Sequence, residues 1–160
     1  MTTKAMSSKQ ENMIAEYLGW KTVAASGARD FHKGDIVSDE WLGECKTHMK
    51  EVERYTFDYA VYQKVADEAM SKFKKPILFV DDGTQKIEST YVLVSEKHIP
   101  EITFNCMDLG TKFLKKNIHL HKSYIYDNLY DGYRFLGWND VGDMLMFRLD
   151  KFKIILEGNY

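Results

Sequence analysis

The chain has few cysteines, no long apolar segment and no excess of positive charge. Cys45 and Cys106 are its only cysteines, and two are too few for a disulfide framework. We therefore expect both thiols to be reduced. No apolar run is long enough to span a membrane, and residues 1–8 lack the apolar stretch of a signal peptide. These absences predict a cytoplasmic protein with no membrane partner.

The charge balance is slightly negative, with 22 Lys and Arg against 24 Asp and Glu. This is mildly against nucleic-acid binding. A carboxylate metal site lowers the net charge by itself, however, so clustering of Lys and Arg on one face matters more. With 160 residues and no repeat, linker or low-complexity segment, the chain is expected to form one domain with a proper core.

The spacing of apolar residues predicts an α/β domain, in which a mixed sheet is flanked by helices. The predicted elements are a helix over 9–18 after Ser7 or Ser8, a strand over 20–25, two strands within 34–46, a helix over 57–73 capped by Thr56, strands over 76–80 and 91–94, a short helix over 107–116, a strand over 144–149 and a closing segment over 152–156. The long helix is expected to bury Phe57, Ala60, Val61, Val65, Ala69 and Phe73.

The last third of the chain is rich in aromatic and basic residues, from about Lys112 to Trp138. Such a composition can grip nucleic acid, but it also occurs in tightly packed β-rich regions, and we favour packing. His119 and His121 would lie on one face of a strand. Two histidines without a CxxC motif are a weak zinc signal.

A strand, a turn and a second strand are predicted between residues 34 and 46. Asp35 opens the first strand, and Glu44 and Lys46 lie two apart on the second, so both point to the same face. Leu42 and Cys45 are expected on the other face, toward a core. This geometry brings an Asp, a Glu and a Lys together at one end of a sheet.

Such a trio suits phosphodiester hydrolysis. Two carboxylates can hold Mg²⁺, for which Mn²⁺ is expected to substitute, and a lysine can stabilise developing negative charge. The pattern Asp-x8-Glu-x-Lys is the signature of PD-(D/E)xK nucleases, with Gly34 here in the position before the Asp where Pro also occurs. The alternative is an ordinary hairpin with a solvated charged face, because these residue types are abundant.

The order of elements over residues 9–94 resembles the archaeal Holliday-junction resolvase family of that superfamily. The matching features are a helix carrying Glu11, Gly19-Trp20 before a strand, Ala25-Ser26-Gly27 at its end, a basic loop leading to Asp35, then Glu44-Cys45-Lys46, a helix with Gln63 in its first turns, and the buried strand Pro76–Val80. The last third, about 99–160, has no counterpart, and the low net charge differs from the strongly basic resolvases.

The resemblance implies a restriction-endonuclease-like fold and a Mg²⁺-dependent endonuclease that cuts branched DNA, such as Holliday junctions, in recombination or repair. It implies that Asp35, Glu44 and Glu11 bind the metal, that Lys46 assists the attacking water, and that Ser26 contacts the scissile phosphate region. Glu16 is the competitor to Glu11. A homodimer is expected, because a four-way junction has two-fold symmetry and must be cut on two strands.

Most of the affinity for DNA should come from phosphate contacts. The candidates are Arg29, Lys33, Lys50, Arg54, Gln63, Lys72, Lys74 and Lys75. Three alternatives stay open: a nuclease of the same superfamily with another DNA or RNA substrate, a catalytically silent nucleic-acid-binding protein, and an unrelated α/β domain with a chance motif.

Overall fold

The computed structural model describes residues 2–23, 34–100, 104–110, 117–137 and 141–159. Within these residues, three helices flank a mixed sheet of eight strands, and a two-stranded ribbon lies beside it. The helices are α1 (Thr3–Leu18), α2 (Tyr59–Ser71) and α3 (Leu149–Leu156). The predicted α/β class is confirmed. No helix in the described ranges is both long and apolar enough to cross a membrane.

The strands of the large sheet run in the order β1-β2-β3-β5-β6-β10-β9-β7, and β4 pairs with β8 in the ribbon. Their bounds are β1 (Lys21–Thr22), β2 (Ile36–Val37), β3 (Trp41–Lys46), β4 (Arg54–Phe57), β5 (Lys75–Val80), β6 (Tyr91–Ser95), β7 (Cys106–Asp108), β8 (Ile118–His121), β9 (Gly132–Phe135) and β10 (Met144–Arg148). The β3–β5 and β7–β9 pairs are parallel, and the other pairs are antiparallel. Of the strands in the last third, β7, β9 and β10 therefore continue the large sheet, whereas β8 belongs to the ribbon.

The central strands are buried on both faces, as their nearly continuous apolar sequences require. In β5, Ile77 and Phe79 belong to the core beneath α1 and α3, whereas Leu78 and Val80 belong to the core beneath α2 and the ribbon. This alternation fixes the pairing register of the strand, since a shift of one residue would move each side chain from one core to the other. The strands predicted over 76–80, 91–94 and 144–149 are confirmed to within one residue at each end.

The structure places Leu42 on the face of β3 opposite to the predicted one. Leu42 packs against Val65 and Ala69 of α2, whereas Cys45 packs in the core beneath α1 and α3. The prediction that Leu42 shares a face with Cys45 is wrong, because positions 42, 44 and 46 follow the same alternation. Glu44 and Lys46 therefore lie on the α2 side of the sheet.

Helix α1 begins at Thr3, six residues before the predicted start. The Thr2 hydroxyl accepts a hydrogen bond from the Ala5 N–H at 3.1 Å and caps the helix. Ser7 and Ser8 lie inside α1 rather than before it. The helix ends as predicted at Gly19, whose φ of 73° is a left-handed conformation that glycine adopts without strain.

The segment before α2 is a strand, so the predicted helix begins two residues too early. Thr56 and Phe57 lie in β4, and Asp58 is the N-cap, accepting hydrogen bonds from the Ala60 and Val61 N–H groups. Phe57 is buried, as expected, but through the ribbon; Ala60 is exposed. The aromatic residue that α2 buries is one the predicted stripe omitted, Tyr62, which is 1% exposed.

The structure also differs from the prediction in three other segments. Residues 106–108 form β7 rather than the start of a helix, and residues 111–116 lie outside the described part of the chain. The closing segment 152–156 is the greater part of α3. For the strand predicted over 20–25, the described residues form a strand at Lys21–Thr22, and residues 24 and 25 lie outside the described ranges.

Phe73 is a further correction, because it is 97% exposed instead of buried. The turn after α2 is a Schellman motif, in which the Lys74 N–H donates to the Ala69 carbonyl at 2.8 Å and the Phe73 N–H donates to the Met70 carbonyl at 3.2 Å. Phe73 takes the left-handed position of that motif, with a φ of 57°. A residue with a Cβ is strained there by about 1–2 kcal/mol.

We predict that Phe73→Gly raises the free energy of unfolding by about 0.5–1 kcal/mol. Relief of the left-handed strain outweighs the greater freedom of glycine in the unfolded chain. Urea denaturation measures the change. The control is Lys72→Gly, one residue earlier, where φ is −110°; it should lower stability. A Phe73→Gly protein less stable than the wild type would contradict the prediction.

Candidate metal centre at the end of the central strands

Asp35 is held against β3 by two hydrogen bonds. Its backbone N–H donates to the Gly43 carbonyl at 2.8 Å, and its carboxylate oxygen Oδ2 accepts from the Cys45 N–H at 2.7 Å. Burial raises the pKa of Asp35, while the Cys45 N–H and the charge of Lys46 oppose the rise. The carboxylate is therefore fixed, and it is partly removed from water.

Two glycines make this close approach possible. Gly34 has a φ of 60°, and a Cβ there would lie 3.0 Å from the Leu42 side chain. Proline, with its φ near −65°, does not fit that conformation, which explains why glycine precedes Asp35 in this chain. At Gly43, a Cβ would lie 2.6 Å from the Phe79 ring, so only glycine lets β3 and its neighbours pack at this distance.

Glu44 and Lys46 point to the same face of β3, as predicted. The Lys46 Nζ lies 3.4 Å from the Glu44 Oε1, and the lysine side chain is 50% exposed. Burial and the charge of Asp35 raise the pKa of Glu44, and Lys46 lowers it. The structure thus brings Asp35, Glu44 and Lys46 together at one end of the sheet.

Glu11 reaches the same place from α1. Its carboxyl group shares a hydrogen bond with the carboxyl group of Asp35. Burial and the charges of Asp35 and Glu44 raise the pKa of Glu11 to about 7. Glu11 is therefore the carboxyl group that keeps its proton near neutral pH. Glu16, its competitor, is exposed further along α1.

Lys64 is a residue of this site that the sequence analysis did not select. It lies on α2, and its charge lowers the pKa of both Asp35 and Glu44. It also lines an open groove of about 670 Å³ along α2, together with Gln63 and Ser71. The sequence offers only a weak signal for Lys64: it falls one residue after Gln63, on the helix that covers β3.

No group of three or more His, Cys, Asp or Glu side chains in the described residues is placed, as the side chains stand, to hold a metal ion. The charge balance of the site nevertheless suits a divalent cation. Three carboxyl groups are partly buried, and each has a raised pKa. Like charges in such a place repel one another, and a bound cation would remove that repulsion. Oxygen donors of this kind suit Mg²⁺ or Mn²⁺. Glu11, Asp35 and Glu44 would hold it.

Three predicted site residues lie outside the described residues. They are Ser26, Arg29 and Lys33. Of the other candidates for DNA contact, Lys50 and Arg54 are exposed. The Gln63 side chain is engaged along α2, where it accepts from the Tyr59 hydroxyl and donates to Asp67.

The basic residues after α2 lie at the other end of the central strands. Lys75 pairs in register with Trp41, whereas Val80 pairs with Lys46, five residues or about 16 Å further along. Lys72 is paired with Glu68 at 3.2 Å, and the Lys74 Nζ donates to the backbone carbonyls of residues 38 and 39. Lys74 therefore closes a turn, and none of the three adjoins the carboxyl groups.

His119 and His121 are both exposed on β8, on the one face that their spacing predicts. His119 Nδ1 hydrogen-bonds to the Thr56 hydroxyl at 3.0 Å, and His121 Nδ1 bonds to the Ser123 hydroxyl at 2.9 Å. One nitrogen of each ring, Nδ1, is thus hydrogen-bonded to a neighbouring hydroxyl. The favoured packing role of the aromatic region is borne out for Tyr133 and Phe135, which are buried, but not for Tyr124 and Tyr126, which are exposed.

Comparison with protein-family models, with curated proteins and with solved structures found no match for this chain. A function for the site can therefore be inferred only from the residues that form it.

We predict that Glu11→Gln removes part of the pH dependence of stability in the metal-free protein. The folded pKa of Glu11, about 7, is above the ordinary 4.5. The native state therefore binds the extra proton between these values, and stability falls as pH rises through that window. At pH 8 and with EDTA, the variant should be more stable than the wild type by about 1–2 kcal/mol, after allowance for screening at a half-buried group.

Urea denaturation at pH 4.5 and at pH 8 tests this prediction. The matched control is Glu16→Gln on the exposed face of the same helix, for which the difference from the wild type should not change with pH. The prediction fails if Glu11→Gln has the same effect on stability at both pH values.

Proposed function

We propose that this protein is a divalent-metal-dependent endonuclease with a restriction-endonuclease-like fold. The observation that carries the proposal is the meeting of Glu11 and Asp35, which share a hydrogen bond, with Glu44 and Lys46, which lie 3.4 Å apart. They come from three separate elements, so an ordinary solvated hairpin does not account for them. Carboxylates that collect a hard cation beside a lysine suit the hydrolysis of phosphodiesters.

Each side chain has a role in this chemistry. Glu11, Asp35 and Glu44 hold the cation, which when bound polarises the phosphate and makes water more acidic. Lys46, half exposed beside Glu44, stands where it can stabilise the negative charge that develops as water attacks. Lys64 adds a second positive charge from α2. The Cys45 thiol is not a nucleophile, because it is buried and burial raises its pKa well above the ordinary value.

The substrate that we propose is DNA, and specifically branched DNA cut by a homodimer. The order of the first elements, which resembles that of the junction resolvases, supports this choice. Lys50, in the segment after β3, and Arg54, the first residue of β4, are exposed, so both are available for phosphate contacts. The lysines after α2 are less suited to that task, because they are paired and lie at the far end of the strands.

We predict that the wild type, given Mg²⁺, introduces paired and symmetric nicks in a synthetic four-way junction, and leaves linear duplex of the same sequence largely intact. Asp35→Asn should lower the rate at least about a hundredfold, because one metal ligand loses its charge. Lys46→Ala should keep junction binding and lose cleavage. Gel electrophoresis of labelled strands gives the cut positions, and a gel-shift assay gives the binding.

Asp39→Asn, an exposed aspartate in the turn between β2 and β3, is the control and should cut like the wild type. Equal cutting of both substrates, still dependent on Asp35, would retain the nuclease and discard the preference for junctions. Junction binding without any cutting by the wild type, in Mg²⁺ or Mn²⁺, would instead favour a catalytically silent binding protein. Failure to bind or cut any nucleic acid would leave an unrelated α/β domain.

We also predict that Lys64→Met slows cleavage by about tenfold to a hundredfold while Mg²⁺ still binds. The variant keeps the aliphatic part of the side chain and removes the charge that faces Asp35 and Glu44. Single-turnover cleavage measures the rate, and calorimetry measures Mg²⁺ binding. Lys72→Met, at the other end of α2, is the matched control. A Lys64→Met rate equal to that of the control would exclude a role for Lys64 in the reaction.

A further inference from the structure

A second cluster of polar side chains lies inside the fold, behind the candidate metal centre. Gln10 and Asp81 are 0% exposed, and Gln85 is 7% exposed. Each has one buried oxygen atom with no hydrogen-bond partner among the described residues: Gln10 Oε1, Asp81 Oδ2 and Gln85 Oε1. Buried polar atoms are seldom left unpaired, because they lose their hydrogen bonds to water and gain none in return.

These side chains are tied together by two residues, Lys46 at the end of β3 and Thr47 directly after it. Gln10 Nε2 donates to the Lys46 carbonyl at 2.7 Å, and the Asp81 N–H donates to the same carbonyl at 3.3 Å. The Thr47 hydroxyl donates to Asp81 Oδ1 at 2.7 Å, and it lies 3.4 Å from Gln85 Nε2. The three residues with an unpaired oxygen therefore all bond to Lys46 or Thr47, which brings them to one short stretch of the chain.

The orientation of both amides is fixed by their donors. Gln10 Nε2 donates to a backbone carbonyl, and so does Gln85 Nε2, which bonds to the Met6 carbonyl at 2.7 Å. Turning either amide over would place an oxygen against a carbonyl oxygen. The amide oxygens of Gln10 and Gln85 are therefore the atoms that lack a partner.

Asp81 also has no close cationic partner: the charge of His48 opposes the rise that burial causes in its pKa, but the two form no ion pair within the described ranges. No lysine or arginine forms an ion pair with Asp81 within the described ranges, whereas the next residue, Asp82, is paired with the Lys122 Nζ at 2.8 Å. Burial raises the pKa of Asp81, and the bonds from Thr47 and the Gly83 N–H oppose the rise. A buried carboxylate without a cation partner is costly.

We propose that Gln10, Asp81 and Gln85 form a buried binding site for one monovalent cation, Na⁺ or K⁺. The ligands are a single carboxylate oxygen and two amide oxygens, and one positive charge neutralises one carboxylate. A water molecule has only two hydrogens for three acceptors, and it carries no charge. A proton on Asp81 would let Oδ2 donate to one glutamine oxygen and would leave the other unpaired.

The bound cation would fasten α1 to the ends of β3 and β5. Gln10 is the neighbour of Glu11 on α1, and Lys46 carries the carbonyl to which Gln10 donates. The cation site would therefore hold both ends of the candidate metal centre in place. It does not depend on the proposed nuclease activity, because it is defined by separate side chains and can be tested without any substrate.

The test is thermal unfolding of the full chain in EDTA, at pH 8, with 0.1 M NaCl, KCl or choline chloride. EDTA removes divalent cations from the carboxyl groups of the other site. We expect the melting temperature in the preferred salt to exceed that in choline chloride by roughly 3–6 °C. Asp81→Asn should lose this difference, and Asp39→Asn, an exposed aspartate, should keep it.

Thallium-205 NMR of the wild type with thallium(I) nitrate provides a direct readout, since Tl⁺ replaces K⁺ in oxygen sites. A bound resonance that KNO₃ or NaNO₃ displaces would support the site, even if Asp81→Asn did not fold; nitrate salts are used because chloride precipitates Tl⁺. Equal melting temperatures in the three salts together with no bound Tl⁺ resonance would overturn it. An Asp81→Asn protein that keeps the full salt response would overturn it as well.

Discussion

The hydrogen bond from the Cys45 N–H to the Asp35 carboxylate is the contact on which the candidate metal centre depends. Strand β2 pairs with β3 only as far as Ile36 and Gly43, and the Asp35 side chain takes up the next backbone donor on β3. The end of one strand thus becomes the place where a carboxylate is fixed. Because Glu44 and Lys46 flank Cys45, the same bond sets their distance from Asp35.

The carboxyl groups at this site lower the stability of the folded protein. Burial and mutual repulsion raise the pKa of Glu11, Asp35 and Glu44, so each would be easier to ionise elsewhere. A protein retains such a cluster when the charge is used, and perturbed carboxyl groups are typical of functional sites. The positive charges of Lys46 and Lys64 oppose the repulsion from one side only, the face of the sheet that α2 covers.

The elements that could be predicted from sequence are those whose pattern is local. Alternation of side chains on β3 is enough to place Glu44 beside Lys46, and the apolar runs of β5, β6 and β10 mark them as buried strands. The choice of Glu11 as a metal ligand depends on the resemblance, because no local pattern fixes the position of a residue of α1 relative to the end of β3. Local sequence patterns therefore predict Asp35, Glu44 and Lys46, but they do not predict the residues that α1 and α2 contribute to the site.

The remaining errors in the prediction concern residues whose positions depend on contacts between distant parts of the chain. Phe57 continues the helical pattern of α2, yet it pairs with Ile118 in the ribbon, 61 positions further along, which no window of sequence reveals. Lysines show the same limit most clearly. Lys64 and Lys75 belong to one helix-to-strand segment and look alike in the sequence, but the register of β3 against β5 sets Lys75 beside Trp41 and Lys46 beside Val80. Which end of two paired strands a lysine occupies, rather than how many lysines are near in the sequence, determines whether it lies beside the carboxyl groups.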